Sequence, residues 1–293
     1  MRSLILFFVK LKNLFFGIFF KCIYVGQYTT NRNYGDALNL LLLNKLFSKK
    51  GYKIIPKRYI FSSYYNCKEN LQFIGSVLGE ANKNSIIWGT GAISKDVKIK
   101  EHPKKVLAVR GPLTRNLLLD QGIECPVVYG DPALLLPQFY NPSIEPVHRT
   151  GLIPHYADQN KDIVKTLKSE SSVHYIDILL SRSRLKQSIY KEWKYFIDEI
   201  CSCEVILSSS LHGLIIGDAY KKPTLWLKFG DDVLGNDFKF YDYYASMGIN
   251  SEEIKPVRIE ENHYSIKELY KNATLKPVEK VNMNLFLESN PWK

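Results

Sequence analysis

From residue 22 onward the chain alternates short apolar runs with segments of helical periodicity, and no other feature limits its fold as much. CIYVGQY (22–28), LQFIGS (71–76) and SIIWG (85–89) read as buried strands, and GDALNLLLLNKLFSKKGY (35–52) as a helix closed by Gly51. KVLAVRGPLTRNLLLDQGI (105–123) is strand, turn and helix, with Pro112 suited to a first helical turn, and PVVYGDPALLL (126–136) adds a strand and a turn. The Pro/Asn-rich PQFYNPSIEP (137–146) is the best linker, and beyond it the alternation restarts through VHYIDIL, EVILSS, LHGLIIGDAYKK and PTLWLKF. Strands separated by helices return to the same end of a sheet, so they pair in parallel and are covered on both faces. The expectation is an α/β protein with two doubly wound, Rossmann-like domains, 22–140 and 141–293. They should face a cleft at the C-terminal ends of their strands, where such domains bind ligands. At 293 residues the chain is long enough to bury both cores.

Residues 1–21 precede this pattern and read as an amphipathic helix. In LILFFVKLKNLFFGIFF (4–20), Lys10 and Lys12 interrupt the apolar run, which is shorter than the roughly 20 residues that cross a bilayer. No small-x-small cleavage site follows. Leu4, Phe7, Phe8, Leu11, Leu14, Phe15 and Ile18 share one face, flanked by Arg2, Lys10, Lys12 and Lys21. That suits a helix lying in an anionic membrane surface, with packing on the protein's own core as the rival.

Charge agrees with an anionic partner. Of a formal net charge of +11, residues 1–50 hold +7, with Asp36 as their single acid. Such an excess suits nucleic acid, anionic lipid or a phosphorylated substrate. With no zinc-finger spacing, RNA-binding aromatic signature or basic low-complexity arm, nucleic acid is not an expected partner. The five cysteines, Cys22, Cys67, Cys125, Cys201 and Cys203, are scattered without a C-x-x-C pair, so neither a metal site nor a disulfide framework is expected.

The polar residues that interrupt strand ends carry the chemistry. In ILSSSLHGLIIGDAY (206–220), Ser208–Ser210 are turn and cap types and His212 stands in the first helical turn, where backbone amides face outward and favour an anion. AVRGPLTR (108–115) puts Arg110 at a strand end, its fork of donors matched to carboxylate or phosphate, with Arg115 one turn on. NYGDALN (33–39) offers Asp36 with Asn33, Tyr34 and Asn39. Asp131 in YGDPA and His155 in IPHY complete the candidates, whereas His102, His148, His174 and His263 lack such placement.

Taken in order, NYGDALN, WGTGAI, AVRGPLTR, GDPALLLP, SSSLHG and AYKKPTLWLKF resemble the polysaccharide pyruvyltransferase family across roughly residues 22–230. The resemblance implies a fold similar to two-domain glycosyltransferases of the B type (GT-B-like). It implies transfer of the enolpyruvyl carbons of phosphoenolpyruvate to a sugar as a cyclic ketal. No cofactor is implied, and the acceptor is a cell-surface polysaccharide precursor, often lipid-linked. The setting would be cytoplasmic, at the inner face of the cytoplasmic membrane. It assigns Arg110 and the pair Leu211–His212 to the donor. Many members have Arg just before that pair, but here the position is Ser210, so Lys228 or Arg115 would have to supply the missing cation. The expected site is thus Arg110, Arg115, Ser210, Leu211, His212 and Lys228 for phosphoenolpyruvate. His212, Asp36, Asp131 and His155 are the acid–base candidates, and Asn33, Tyr34 and Asn39 would meet the acceptor. The main alternative is a nucleotide-sugar glycosyltransferase, although no E-x-x-x-x-x-x-E run occurs near 204–232. A non-enzymatic export scaffold is a third.

Overall fold

The computed structural model describes residues 2–26, 33–180, 189–235, 237–259 and 264–292. Two sheets organise them, and every strand pairing in both is parallel. The first contains β1 (Cys22–Gly26), β2 (Lys53–Pro56), β3 (Asn70–Gln72), β4 (Ser85–Trp88) and β5 (Lys105–Ala108), in the order β2-β1-β3-β4-β5. The second contains β6 (His148–Ile153), β7 (Val173–Tyr175), β8 (Cys203–Ser208), β9 (Thr224–Lys228) and β10 (Val257–Arg258), in the order β10-β9-β8-β6-β7. Counted from its own first strand, each sheet reads 2-1-3-4-5. That order reverses direction once, between β1 and β3 in the first sheet and between β6 and β8 in the second. Doubly wound sheets bind ligands at such a reversal, outside the strand C-termini.

The helices are α1 (Arg2–Phe19), α2 (Tyr34–Phe47), α3 (Ser62–Cys67), α4 (Pro112–Leu119), α5 (Leu136–Phe139) and α6 (Asp162–Ser169). They continue with α7 (Ile189–Cys201), α8 (Leu211–Ala219), α9 (Phe238–Ser246), α10 (Ile266–Asn272) and α11 (Met283–Glu288). Central strands are near-continuous apolar runs because both faces are covered. Ile23, Tyr24 and Val25 in β1 are buried, as are Val205, Ile206 and Leu207 in β8. The second core gathers Leu152, Ile163, Val164, Leu167, Leu207 and Leu227.

Among the described residues the chain divides into two compact units, one of 2–26, 35–132 and 282–292, the other of 33–34 and 133–281. These units differ from the expected domains 22–140 and 141–293 in two places. The division falls before Ala133, and the tail returns to the first unit instead of closing the second. Its anchor is Trp88, whose ring stacks on Phe286 at 4.9 Å and whose Nε1 donates to the Phe286 carbonyl at 3.1 Å. Two strands were not expected, β2 and β10. Both are short edges, one ending in Pro56, and edge strands carry weak apolar signals by their nature. PVVYG, expected as a strand, makes only the isolated bridge between Val109 and Tyr129. His263 lies outside the described residues.

Candidate active site

In the second unit the strand reversal between β6 and β8 brings two histidines together. β6 ends at Ile153 and, after Pro154, presents His155; β8 ends at Ser208 and runs through Ser209 and Ser210 into α8, where His212 sits in the first turn. Hydroxyls knit the strand ends together. Ser208 Oγ donates to the Ile153 carbonyl at 2.7 Å, and the His155 amide donates to Ser209 Oγ at 2.9 Å. Ser209 Oγ in turn donates to Asp158 Oδ2 at 2.7 Å. A Cβ at Gly213 would overlap Ser208 Oγ, so glycine after His212 lets the helix start directly on the strand ends. Ser210 and Leu211 are buried, and the Ser210 side chain makes no capping bond, leaving the first-turn amides of α8 uncapped by it.

This corner gathers ionisable groups of both signs. Burial pushes the His155 imidazole down to about 3, helped by the charges of Lys239, His212 and Lys161 in that order. His155 is therefore neutral at physiological pH, with Nδ1 accepting from the Ala157 amide at 3.3 Å. Lys161 is neutralised locally by Asp158 at 2.9 Å and Asp232 at 2.6 Å. Lys239, buried on α9, bears on His155 more strongly than any other charged group. It was not anticipated. DFKFYDYYASMGI reads as an aromatic core helix, and the signal was the single lysine interrupting it beside the cap residue Asp237.

Lys228, expected to supply the missing cation, is paired with two carboxylates of its own unit. Its Nζ lies 3.0 Å from Asp231 and 2.5 Å from Asp237, so two carboxylates already balance its charge. Arg115, the other proposed substitute, sits in the first unit and donates from Nε to the Cys125 carbonyl at 3.0 Å, fastening α4 to the following loop.

Arg110, expected at the donor, lies in the first unit. It is fully buried, donating from Nη1 to Ser76 Oγ at 2.8 Å and from Nη2 to the Ala92 carbonyl at 2.7 Å. Its guanidinium lies against Gly91, where a Cβ would overlap Cζ. Arg110 thus braces the loops after β3 and β4 from inside the first unit. Asp131 is buried too.

At the reversal of the first sheet stands Asp36, in the first turn of α2 and beside Gly75, which follows β3. Burial, aided by the Glu80 charge, pushes its carboxyl up to about 7. Asn39 and Tyr34, expected at the acceptor, each hydrogen-bond within their own unit. Asn39 is buried, accepting from the Ile74 amide at 2.9 Å and donating to its carbonyl at 3.1 Å. Tyr34 is buried, donating from its hydroxyl to the Trp193 carbonyl at 2.6 Å and stacking on Phe196 at 4.0 Å. Asn33 is partly exposed and forms an antiparallel bridge with Leu179. Among the described residues no group of three or more His, Cys, Asp or Glu is arranged to hold a metal ion.

Residues 33–230 match the model of the family described as polysaccharide pyruvyl transferase. Protein L143 of Acanthamoeba polyphaga mimivirus, itself uncharacterized, is 30% identical over 244 residues, covering 80% of this chain and 78% of that protein. The succinoglycan biosynthesis protein ExoV of Rhizobium meliloti (strain 1021) is 25% identical over 227 residues, 74% of this chain and 62% of ExoV. The crystal structure of the uncharacterized protein KP1_0663 from Klebsiella pneumoniae subsp. pneumoniae NTUH-K2044 aligns with 88% of this chain and 96% of its own, at 14% identity and a TM-score of 0.47.

Proposed function

We infer the reaction from one premise: the chain belongs to the polysaccharide pyruvyl transferase family, whose model it matches over more than half its length. It is a transferase of polysaccharide biosynthesis. The donor we propose is phosphoenolpyruvate, the product a cyclic pyruvate ketal, and the acceptor a sugar of a cell-surface polysaccharide precursor, lipid-linked and met at the cytoplasmic face of the cytoplasmic membrane. The single observation that carries the donor assignment is the meeting of two strand ends at the start of α8, where the His155 amide bonds Ser209 in the turn that leads to His212, at the strand reversal of the second sheet.

Phosphoenolpyruvate brings a carboxylate and a phosphate, about three negative charges in a small volume. A helix N-terminus, a buried ammonium and two imidazoles favour that charge together. Lys239 supplies the cation that Ser210 does not. Two ring-forming C–O bonds are made at C2 of the donor while its C–O bond to phosphate breaks. The two sugar hydroxyls lose one proton each; one proton is gained at C3, which becomes the methyl group, and the other leaves with phosphate. His212 assists departure of the phosphate. The arriving charge raises the proton affinity of His155, which then serves C3. Asp36, in the first unit, is held near 7 by burial, an affinity suited to accepting a proton from a hydroxyl.

A thermal-shift titration tests the donor. Phosphoenolpyruvate should stabilise the protein and uridine or guanosine diphosphates should not. Stabilisation by a nucleotide diphosphate alone would make it a glycosyltransferase instead. Indifference to phosphoenolpyruvate and inorganic phosphate alike would remove the anion site.

A further inference from the structure

Helix α1 has two faces, and the less apolar of them is turned inward. Asn13 donates from Nδ2 to the Tyr59 carbonyl at 2.9 Å, and the Lys10 ammonium stands 5.6 Å from the centre of the Phe61 ring. Gly17 backs onto the Tyr24 and Tyr64 hydroxyls, where a Cβ would overlap Tyr24 Oη, and Leu14 packs on the cluster of Tyr24, Ile55, Ile60 and Tyr65. A polar amide, a lysine stem and a glycine therefore fasten the helix to the first unit.

The opposite face holds Leu4, Phe8, Leu11, Phe15, Ile18 and Phe19, between 41% and 67% exposed. Spacings of three and four residues put them on one stripe. Packing α1 on the protein leaves this stripe uncovered, so the two readings of the sequence are not rivals: one face docks, and the other is free to dock elsewhere. A contiguous apolar patch of this kind marks an interaction surface. Among the described residues no helix is long and apolar enough to cross a membrane.

We propose that the outward face of α1 seats the protein on an anionic lipid surface. Charge selects this partner. Residues 1–68 contain twelve Lys and Arg against Asp36 alone, a difference equal to the whole chain's net charge of +11. Lys12 and Lys21 beside the stripe are exposed, as is Arg58 on the turn next to Tyr59, to which α1 is bonded. A second copy of this chain would bring like charges together across an apolar contact, whereas anionic headgroups complement the basic surround while acyl chains take the rings. The inference rests on α1 and its surroundings and holds whichever donor the enzyme uses.

The test is cosedimentation of the full chain with vesicles of phosphatidylcholine alone and of phosphatidylcholine with 30% phosphatidylglycerol. The protein should pellet with the anionic vesicles at least tenfold better than with the neutral ones, and less as salt rises. Leu11→Glu with Phe15→Glu alters only the outward stripe. It should lower anionic-vesicle binding at least tenfold while leaving the melting temperature and circular dichroism unchanged. A Lys12→Gln, Lys21→Gln variant, which keeps the apolar stripe, should reduce the preference for the anionic vesicles. Equal binding of the glutamate variant, no binding by the unaltered chain, or self-association in solution that the glutamates abolish without any vesicle binding would each overturn the proposal.

Discussion

Replacing His155 with asparagine should remove a specific part of the protein's acid sensitivity. Buried among Lys239, His212 and Lys161, the native imidazole takes up a proton only near pH 3, whereas an imidazole in the unfolded chain does so near 6.5. Between these values the unfolded state binds more protons than the native one, so stability falls as pH falls through this window. The loss amounts to about 1.4 kcal/mol for each pH unit below 6.5, or about 2 kcal/mol at pH 5, approaching about 5 kcal/mol at pH 3. Asparagine does not titrate and keeps an acceptor for the Ala157 amide. Urea unfolding of both proteins at pH 7.5 and pH 5 should show the unaltered chain losing about 2 kcal/mol more than His155→Asn over that interval. Saturating inorganic phosphate should shrink the difference, because a bound anion raises the imidazole's proton affinity. If the two stabilities run parallel from pH 7.5 to 5, His155 is not held neutral by its surroundings.

Three further outcomes follow from the same geometry. His212→Ala should lower the rate of phosphate release from phosphoenolpyruvate by about 10²-fold or more, the scale of a general acid–base group, with the circular dichroism spectrum unchanged. Asp36→Asn should stabilise the protein at pH 8 by up to about 4 kcal/mol in urea unfolding, since the native carboxyl titrates near 7 against 3.8 when unfolded. That gain should fade as pH falls through 7 toward 4, and steady-state turnover should drop even as stability rises. Gly91→Ala should destabilise the first unit by about 1–3 kcal/mol in the same assay, because the added carbon overlaps the buried Arg110 guanidinium.

The fold was legible wherever burial on both faces wrote an uninterrupted apolar run, as in Val205–Leu207 and Ile86–Trp88. It was illegible at the edges, where Lys53–Pro56 and Val257–Arg258 join their sheets through few residues and mixed chemistry. Sequence position located the strand ends but not the direction of each side chain. Arg110, Asn39 and Tyr34 all stand where a ligand-facing residue would stand, yet each turns inward to bond backbone or hydroxyl partners. Lys228 is chemically the right cation, but carboxylates three and nine residues away claim it. The reverse holds for Lys239, hidden in an aromatic helix whose pattern reads as core and brought to His155 only by tertiary packing. His155 and His212 are 57 positions apart, and what joins them is the order β8-β6, which one sequence does not display.

The proposed reaction removes phosphate from phosphoenolpyruvate as its three-carbon skeleton is joined to a sugar. Phosphorus and proton NMR of the protein mixed with phosphoenolpyruvate and a set of lipid-linked or model glycosides follow both halves at once. Inorganic phosphate should appear in step with a new methyl singlet on the glycoside, and neither signal should appear when Lys239 is replaced by methionine. Intact phosphoenolpyruvate beside consumption of a nucleotide sugar would contradict it.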